Sequence, residues 1–236
     1  DVTGDQIVVT NGGKHALYLL FQSLLDPALP GQEAPEVLLP TPAWVSYAPQ
    51  IRLAGGKVVE IPTTPESGFK MSPQQLEASI TPNTRILLFN SPSNPCGVTY
   101  TPDEVEGLAA VVARAAANVA PNLIVITDEI YEKLIYRGMR HRSFGSCMDV
   151  AERTITVNGL SKAYAMTGWR VGWMIGPTDI IKPSTSFQSH ATSNVARWRR
   201  SVTTSAVSAS NRLPICRTGS CRPTWPWFRS AVTPPP

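Results

Sequence analysis

The sequence has no long apolar stretch: no run approaches the roughly 18 to 20 residues that a membrane-spanning helix requires. Its first residues lack an initiator methionine, a basic segment and the apolar core of a signal peptide, so we expect that sequence precedes Asp1. Histidine is scarce, with three residues, and the four cysteines form no CxxC pair. These absences argue against a membrane protein and a metal site, and they predict unpaired thiols in a reducing, cytoplasmic compartment.

Acidic residues are absent from the C-terminal part of the chain. Residues 183–236 contain seven arginines and neither lysine nor acid, whereas residues 1–182 contain 14 basic and 17 acidic residues. The net charge of +4 therefore comes from the C-terminal part, and the body, at −3, gives no reason to expect nucleic-acid binding. Residues 195–236 have three interpretations: a basic nucleic-acid-binding tail, a membrane-surface segment, or an aberrant, disordered Arg/Ser/Pro-rich terminus. We favour the last.

Short β-rich runs alternate with helical patterns along residues 1–182. The runs predict strands at 6–10, 36–40, 57–62, 84–90, 123–127, 154–158 and 171–176. The helical patterns cover 13–25, 43–55, 72–80 and 101–118. This alternation predicts an α/β domain with a mainly parallel sheet that is covered by helices on both faces.

Polar segments rich in glycine and proline follow the predicted strands. Ligands of open α/β sheets bind beyond the carboxyl ends of the strands, so we expect these segments to converge on one site. They are residues 11–14, 40–42, 90–95, 128–131 and 158–162.

Two glycines, Gly12 and Gly13, join the first predicted strand to the first helix. Free backbone amides at a helix N-terminus favour an anion such as phosphate, and glycine there lets the anion approach the backbone closely. Ser161 and Arg170 could complete such a site with a hydroxyl and a guanidinium fork. A tight strand-to-helix turn explains the glycines equally well.

Asp128 follows a buried strand directly, where a poorly solvated carboxyl needs a cationic partner. Tyr131 lies three residues later and faces the same side if a helical turn begins at Asp128. Asn94 stands between two X-Pro steps that would fix the direction of its amide. The alternatives are a helix N-cap for Asp128 and a purely structural turn around Asn94.

Lys162 stands among small residues with Arg170 eight positions later. Desolvation and a nearby cation disfavour the ammonium form of a lysine, which makes the amine a nucleophile that can form a Schiff base with a carbonyl. The alternative is an ordinary surface lysine.

Five motifs, in this order over residues 5–194, resemble a known family: TNGGKHAL, PTPAWVSY, FNSPSNPCG, TDEIYEKLIY and NGLSKAYAMTGWRVGW. They resemble the large domain of the class I/II aminotransferases, which are fold-type-I enzymes dependent on pyridoxal 5′-phosphate (PLP), and among these the bacterial aspartate/prephenate aminotransferases. The resemblance implies a three-layer α/β/α large domain at 1–194, N-terminally truncated and without the C-terminal small domain.

The resemblance also implies roles around the cofactor ring. Lys162 is implied as the Schiff-base lysine and as the carrier of a proton. Asp128 would pair with the ring nitrogen, and Tyr131 and Asn94 would hydrogen-bond the phenolic oxygen. Trp44 would stack on the ring.

The same resemblance places the cofactor phosphate on a second group of residues. Ser161 and Arg170 would bind it through their side chains. The turn of Gly12, Gly13 and Lys14 would surround it.

The implied reaction is transamination between an amino acid and a 2-oxo acid, of aspartate/glutamate or prephenate type, in a homodimer of the full-length protein. The chain alone would be weakly active or inactive, because a substrate-binding arginine of the family lies beyond it. Another fold-type-I activity, such as a β-lyase or synthase, and a noncatalytic PLP-binding module are the alternatives.

Overall fold

A computed structural model describes residues 2–136 and 138–192. Seven strands in this part form one sheet: β1 (Ile7–Thr10), β2 (Glu36–Thr41), β3 (Lys57–Pro62), β4 (Thr84–Asn90), β5 (Ile124–Asp128), β6 (Thr154–Gly159) and β7 (Gly172–Ile175). The α-helices here are α1 (Gly13–Leu24), α2 (Tyr47–Leu53), α3 (Pro73–Ser79), α4 (Pro102–Asn118) and α5 (Thr178–Ala191). The expectations for residues 195–236 lie outside the described residues.

The strand order is β1-β7-β6-β5-β4-β2-β3. Only β7 runs antiparallel to its neighbours, while β6, β5, β4, β2 and β3 pair in parallel. The predicted mainly parallel sheet is therefore confirmed. Because β4 and β5 are paired in parallel, their carboxyl ends, Asn90 and Asp128, lie side by side in register near the middle of the sheet.

The core lies on both faces of the sheet, and β4 shows how. Ile86 and Leu88 pack on the side of α1, α2 and α5, whereas Leu87 and Phe89 pack on the side of α3 and α4. Successive strand residues point to opposite faces, so a continuous apolar run fits a strand covered on both sides. Each fully buried side chain of this size contributes about 1.5–3 kcal/mol. The three-layer α/β/α architecture is confirmed.

Helix α2 is shorter than predicted, since residues 43–46 form a turn in which the Tyr47 amide donates to the Trp44 carbonyl (3.0 Å). This turn leaves Trp44 ahead of the helix, at the edge of the sheet.

Helix α5 was not predicted, because Pro183 interrupts its pattern. Proline removes one helical hydrogen bond, but here tertiary contacts hold the segment in place. Ile181 is buried in the core, and the Gln188 side chain donates to the Val9 carbonyl of β1 (2.9 Å). In the described part of the chain, no helix combines the length and apolarity needed to cross a bilayer.

Candidate functional site

Asp128 ends β5 with its carboxyl group buried. Its Oδ2 accepts a hydrogen bond from the Tyr47 hydroxyl (2.7 Å), and its Oδ1 accepts from the Ile130 amide (3.2 Å). Burial raises the pKa of Asp128 to about 6; the two hydrogen bonds oppose this rise, and the Glu129 carboxylate adds to it. The described residues directly after Asp128, 129–136, contain a turn and no α-helix, so its carboxyl caps a turn rather than a helix. Within the described residues it has no cationic partner, which makes it a candidate for binding a cationic ligand.

Tyr47 is a site residue that the sequence analysis left without a role. It is 2% exposed, and burial, with Asp128 as a second cause, raises the pKa of its hydroxyl well above the ordinary value. The phenol therefore stays protonated and acts as a donor to Asp128. The W-x-x-Y spacing is the signal that could have identified it, because it places Tyr47 next to Trp44 at the start of α2.

Trp44 and Lys14, both predicted site residues, lie next to Tyr47. The Trp44 and Tyr47 rings meet edge to face with centroids 5.3 Å apart. The Lys14 ammonium lies 5.0 Å from the centroid of the Trp44 ring, a cation–π contact. The Lys14 side chain thus contacts an aromatic ring in this structure.

Tyr131 and Asn94, both predicted site residues, lie close together in the structure. Burial, chiefly, and the Asp128 carboxylate raise the pKa of Tyr131, and the neighbouring Asn94 side chain opposes this rise. The Asn94 amide nitrogen donates to the Asn90 side chain (2.8 Å). The turn around Asn94 therefore lies at the same edge as Asp128.

Gly12 and Arg170 form a second part of the site. Gly12 has φ 84°, a conformation that favours glycine, and a Cβ there would lie 2.7 Å from Arg170 Nη2 and displace the guanidinium. The guanidinium donates to the Asn11 carbonyl (3.2 Å) and to the Thr167 carbonyl (3.1 Å). It therefore lies beside the N-terminus of α1, where the first helical amides, beginning with Gly13, have no partner within the helix.

The connection from β6 to β7 holds Ser161 and Lys162. The Thr167 hydroxyl donates to the Ser161 carbonyl (2.9 Å), and the Leu160 amide to the Val171 carbonyl (3.0 Å), which closes the connection into a loop. Ser161 is buried. Lys162 is exposed, so the expectation of a poorly solvated lysine is wrong in this structure: the residue lies on a turn at the open edge of the sheet.

Glu129 was also missed by the sequence analysis. Its carboxylate is 2% exposed and accepts from the hydroxyls of Thr127 (3.0 Å) and Ser143 (2.8 Å) and from the Phe144 amide (3.2 Å). His141 Nε2 lies 2.8 Å from its other oxygen. Potential metal-ligand atoms of Glu129, Glu132 and His141 lie within 4.8 Å of one another, but Glu129 is already satisfied by protein groups.

Comparison with known proteins identifies the family of this edge-of-sheet site. The family model "Aminotransferase class I and II" matches residues 2–213. The chain is 45% identical over 209 residues to an aspartate aminotransferase of Streptomyces avermitilis, with 88% of this chain and 48% of the relative covered. It is 43% identical over 200 residues to an aspartate/prephenate aminotransferase of Thermus thermophilus, with 84% and 48% covered.

A solved structure agrees with these relatives. The structure of aspartate aminotransferase from Thermus thermophilus with maleate has a TM-score of 0.77 and 41% identity, and the match covers 89% of this chain and 52% of that one. The chain spans about half the length of the curated relatives it matches. On the family match, the relatives and the shared fold together, the chain belongs to the class I and II aminotransferases.

Proposed function

We propose that the protein represented by this chain carries out PLP-dependent transamination between an amino acid and a 2-oxo acid, with residues 1–194 as the PLP-binding large domain. PLP is the cofactor of the family; when bound, it supplies an electron sink for the carbanion formed at the substrate Cα. The observation that carries the proposal is the buried Asp128 carboxyl, whose pKa is about 6 and which has no cationic partner among the described residues.

The groups around Asp128 fit the ring of this cofactor. A protonated pyridine nitrogen is the kind of cation that a buried carboxyl needs. Asp128 would hold the nitrogen, and Tyr47 would hold Asp128. Tyr131 and Asn94, which are neighbours, would donate to the phenolic oxygen, and Trp44 would cover the ring face.

The groups around Arg170 fit a phosphate. A guanidinium fork beside the N-terminus of a helix combines directed donors with a favourable dipole, and the glycine at position 12 leaves room for close approach. Arg170 and Ser161 would bind the phosphate through their side chains. Gly12, Gly13 and Lys14 would bind it through the backbone of the turn.

Lys162 would attach the cofactor aldehyde covalently. Its exposure at the open edge of the sheet leaves the amine accessible for that reaction. Lys162 would also hold and move a proton at the substrate Cα, as a positioned general base and acid.

The substrates proposed are acidic. The relatives are named for aspartate or for aspartate and prephenate, and the Thermus structure contains maleate, a dicarboxylate. We therefore propose aspartate or glutamate as amino donors, with a 2-oxo acid or prephenate as acceptor. We further propose a cytoplasmic homodimer for the full-length protein, to be checked by light scattering of that protein.

Covalent attachment of PLP to Lys162 can be tested on the purified chain. PLP is added and the visible absorbance is recorded. The complex is then reduced with borohydride, and peptide mass mapping locates the pyridoxyl group. Lys162 should carry it. Lys162→Ala should lose the attachment, while Lys182→Ala, at another exposed lysine, should retain it. Attachment in Lys162→Ala equal to that in the wild type would refute the assignment.

The full-length protein tests the substrates. Aspartate should change the absorbance of its bound cofactor and yield oxaloacetate, and aromatic amino acids should do so less effectively. Equal responses to both classes would contradict the preference for acidic substrates.

A further inference from the structure

Asn90, the last residue of β4, connects two parts of the candidate site. Its Nδ2 donates to the Asp128 backbone carbonyl (2.8 Å), and its Oδ1 accepts from the Asn94 backbone amide (2.8 Å). Asn90 and Asp128 are also the last pair in the register of β4 and β5. One side chain therefore joins the end of a central strand to the turn that carries Asn94.

The chemistry of this connection requires an amide. Asparagine has a donor and an acceptor at the end of one short side chain, whereas aspartate offers only acceptors at neutral pH and leucine offers neither. The two bonds also act where the regular hydrogen bonding of the sheet ends. Without these two bonds, the Asp128 carbonyl and the Asn94 backbone amide would have no partner in a partly buried place. The free-energy cost of such unsatisfied groups exceeds the contribution of an exposed hydrogen bond.

We propose that Asn90 is a positioning residue that fixes the Asp128 carboxyl relative to the Asn94 side chain. This inference rests on the proposed function, in which these two groups hold different atoms of the same rigid ring. A rigid ligand binds two groups most tightly when their separation is fixed before binding. If the groups must be ordered on binding, that ordering lowers the affinity.

The experiment compares Asn90→Leu with Asn118→Leu. Asn118 makes a matched contact, a side-chain donation to the Arg114 carbonyl (2.8 Å) at the end of α4. PLP affinity and the midpoint pH of the absorbance of bound PLP are measured for both. We expect Asn90→Leu to weaken PLP binding about tenfold or more and to shift the midpoint, and Asn118→Leu to leave both within about twofold.

Asn90→Asp sharpens the result, because it keeps the acceptor for the Asn94 amide and loses the donor to Asp128. It should bind PLP less tightly than the wild type and more tightly than Asn90→Leu. Unchanged affinity and midpoint in both Asn90 variants would overturn the positioning role while leaving the proposed function intact. Absence of PLP binding in the wild type would overturn both.

A measurement on the wild type covers the case in which the Asn90 variants do not fold. Hydrogen exchange without PLP should show the Asn94 amide protected relative to an unstructured peptide, because the Asn90 side chain accepts its proton. Exchange at the unstructured rate would show that no such connection holds Asn94, and it would overturn the proposal.

Discussion

Asp128 and Glu129 are adjacent in sequence and both buried, yet their surroundings differ in kind. Glu129 accepts three hydrogen bonds on one oxygen and has His141 on the other. Asp128 accepts one hydrogen bond on each oxygen, from Tyr47 and from Ile130, and burial raises its pKa to about 6. The protein's own donors saturate the Glu129 carboxylate, whereas the Asp128 carboxyl keeps the capacity to bind a further group.

This difference separates a structural carboxylate from a functional one. A carboxylate satisfied by several donors stabilises the fold, since each donor would otherwise be buried without a partner. A buried carboxyl with a raised pKa costs stability at neutral pH, and such groups concentrate at sites that bind ligands. The comparison predicts opposite effects on unfolding when the two carboxylates are neutralised.

The largest expected effect is on Glu129. Glu129→Gln replaces the carboxylate that accepts from Thr127, Ser143 and Phe144 by a neutral amide, whose NH₂ takes the place of one of the two oxygens. We expect the free energy of unfolding to fall by about 3–5 kcal/mol, as when one partner of a buried charged contact is removed. Urea unfolding at pH 7 without PLP measures it.

Glu132→Gln, on the same turn, is the control for this prediction. Its carboxylate pairs with the neighbouring Lys133 (3.5 Å) in a partly exposed place, so we expect a loss below about 1 kcal/mol. Equal losses of unfolding free energy in the two variants would show that the contacts of Glu129 contribute no more to stability than those of Glu132.

Asp128→Asn should act in the opposite direction. The pKa of the folded protein, about 6, lies above the ordinary 3.8, so the folded state holds the proton more tightly than the unfolded chain. The contribution of Asp128 to the stability of the wild type without PLP should therefore fall as the pH rises from about 4 to about 6 and level off above. The total is about 3 kcal/mol at about 1.4 kcal/mol for each pKa unit.

The Asp128→Asn variant should lack this pH dependence and be more stable than the wild type at pH 7 by up to about 3 kcal/mol, while binding PLP more weakly. Urea unfolding between pH 4 and 7, with a PLP titration, tests both parts. Asp149→Asn, at an exposed carboxyl, should change neither. A variant that is less stable than the wild type at pH 7 would contradict the assignment of Asp128 as the costly carboxylate.

Local patterns in the sequence predicted most of the fold. All seven predicted strands are present, with ends that agree or shift by one residue, because apolar runs between turn residues specify buried strands. Helix α5 was missed because Pro183 interrupts its pattern, and the tertiary contacts that stabilise it, such as that of Gln188 with Val9, leave no local pattern. The antiparallel direction of β7 likewise depends on its neighbours.

The sequence also predicted that candidate site residues lie at one edge of the sheet, since the end of a strand is a local property. Asn94 and Tyr131 lie close together, and the Arg170 guanidinium lies next to Gly12. The partners that adjust these groups were not predicted. Tyr47 lies 81 positions from Asp128 in the chain, and a hydrogen bond over that separation leaves no periodic signal.

Tyr47→Phe should have the smallest of the three effects. It removes the hydroxyl that donates to Asp128 and keeps the ring against Trp44, so the pKa of Asp128 should rise further. The variant should lose about 1–2 kcal/mol relative to the wild type at pH 7, where the carboxylate is ionised, and less at pH 4, where both proteins hold the proton. In the Asp128→Asn background the same change should cost less, and a double-mutant cycle from urea unfolding measures the difference. Equal losses in both backgrounds would mean that the hydroxyl stabilises the protein independently of the Asp128 charge, and Tyr47 would then have no part in the contrast with Glu129.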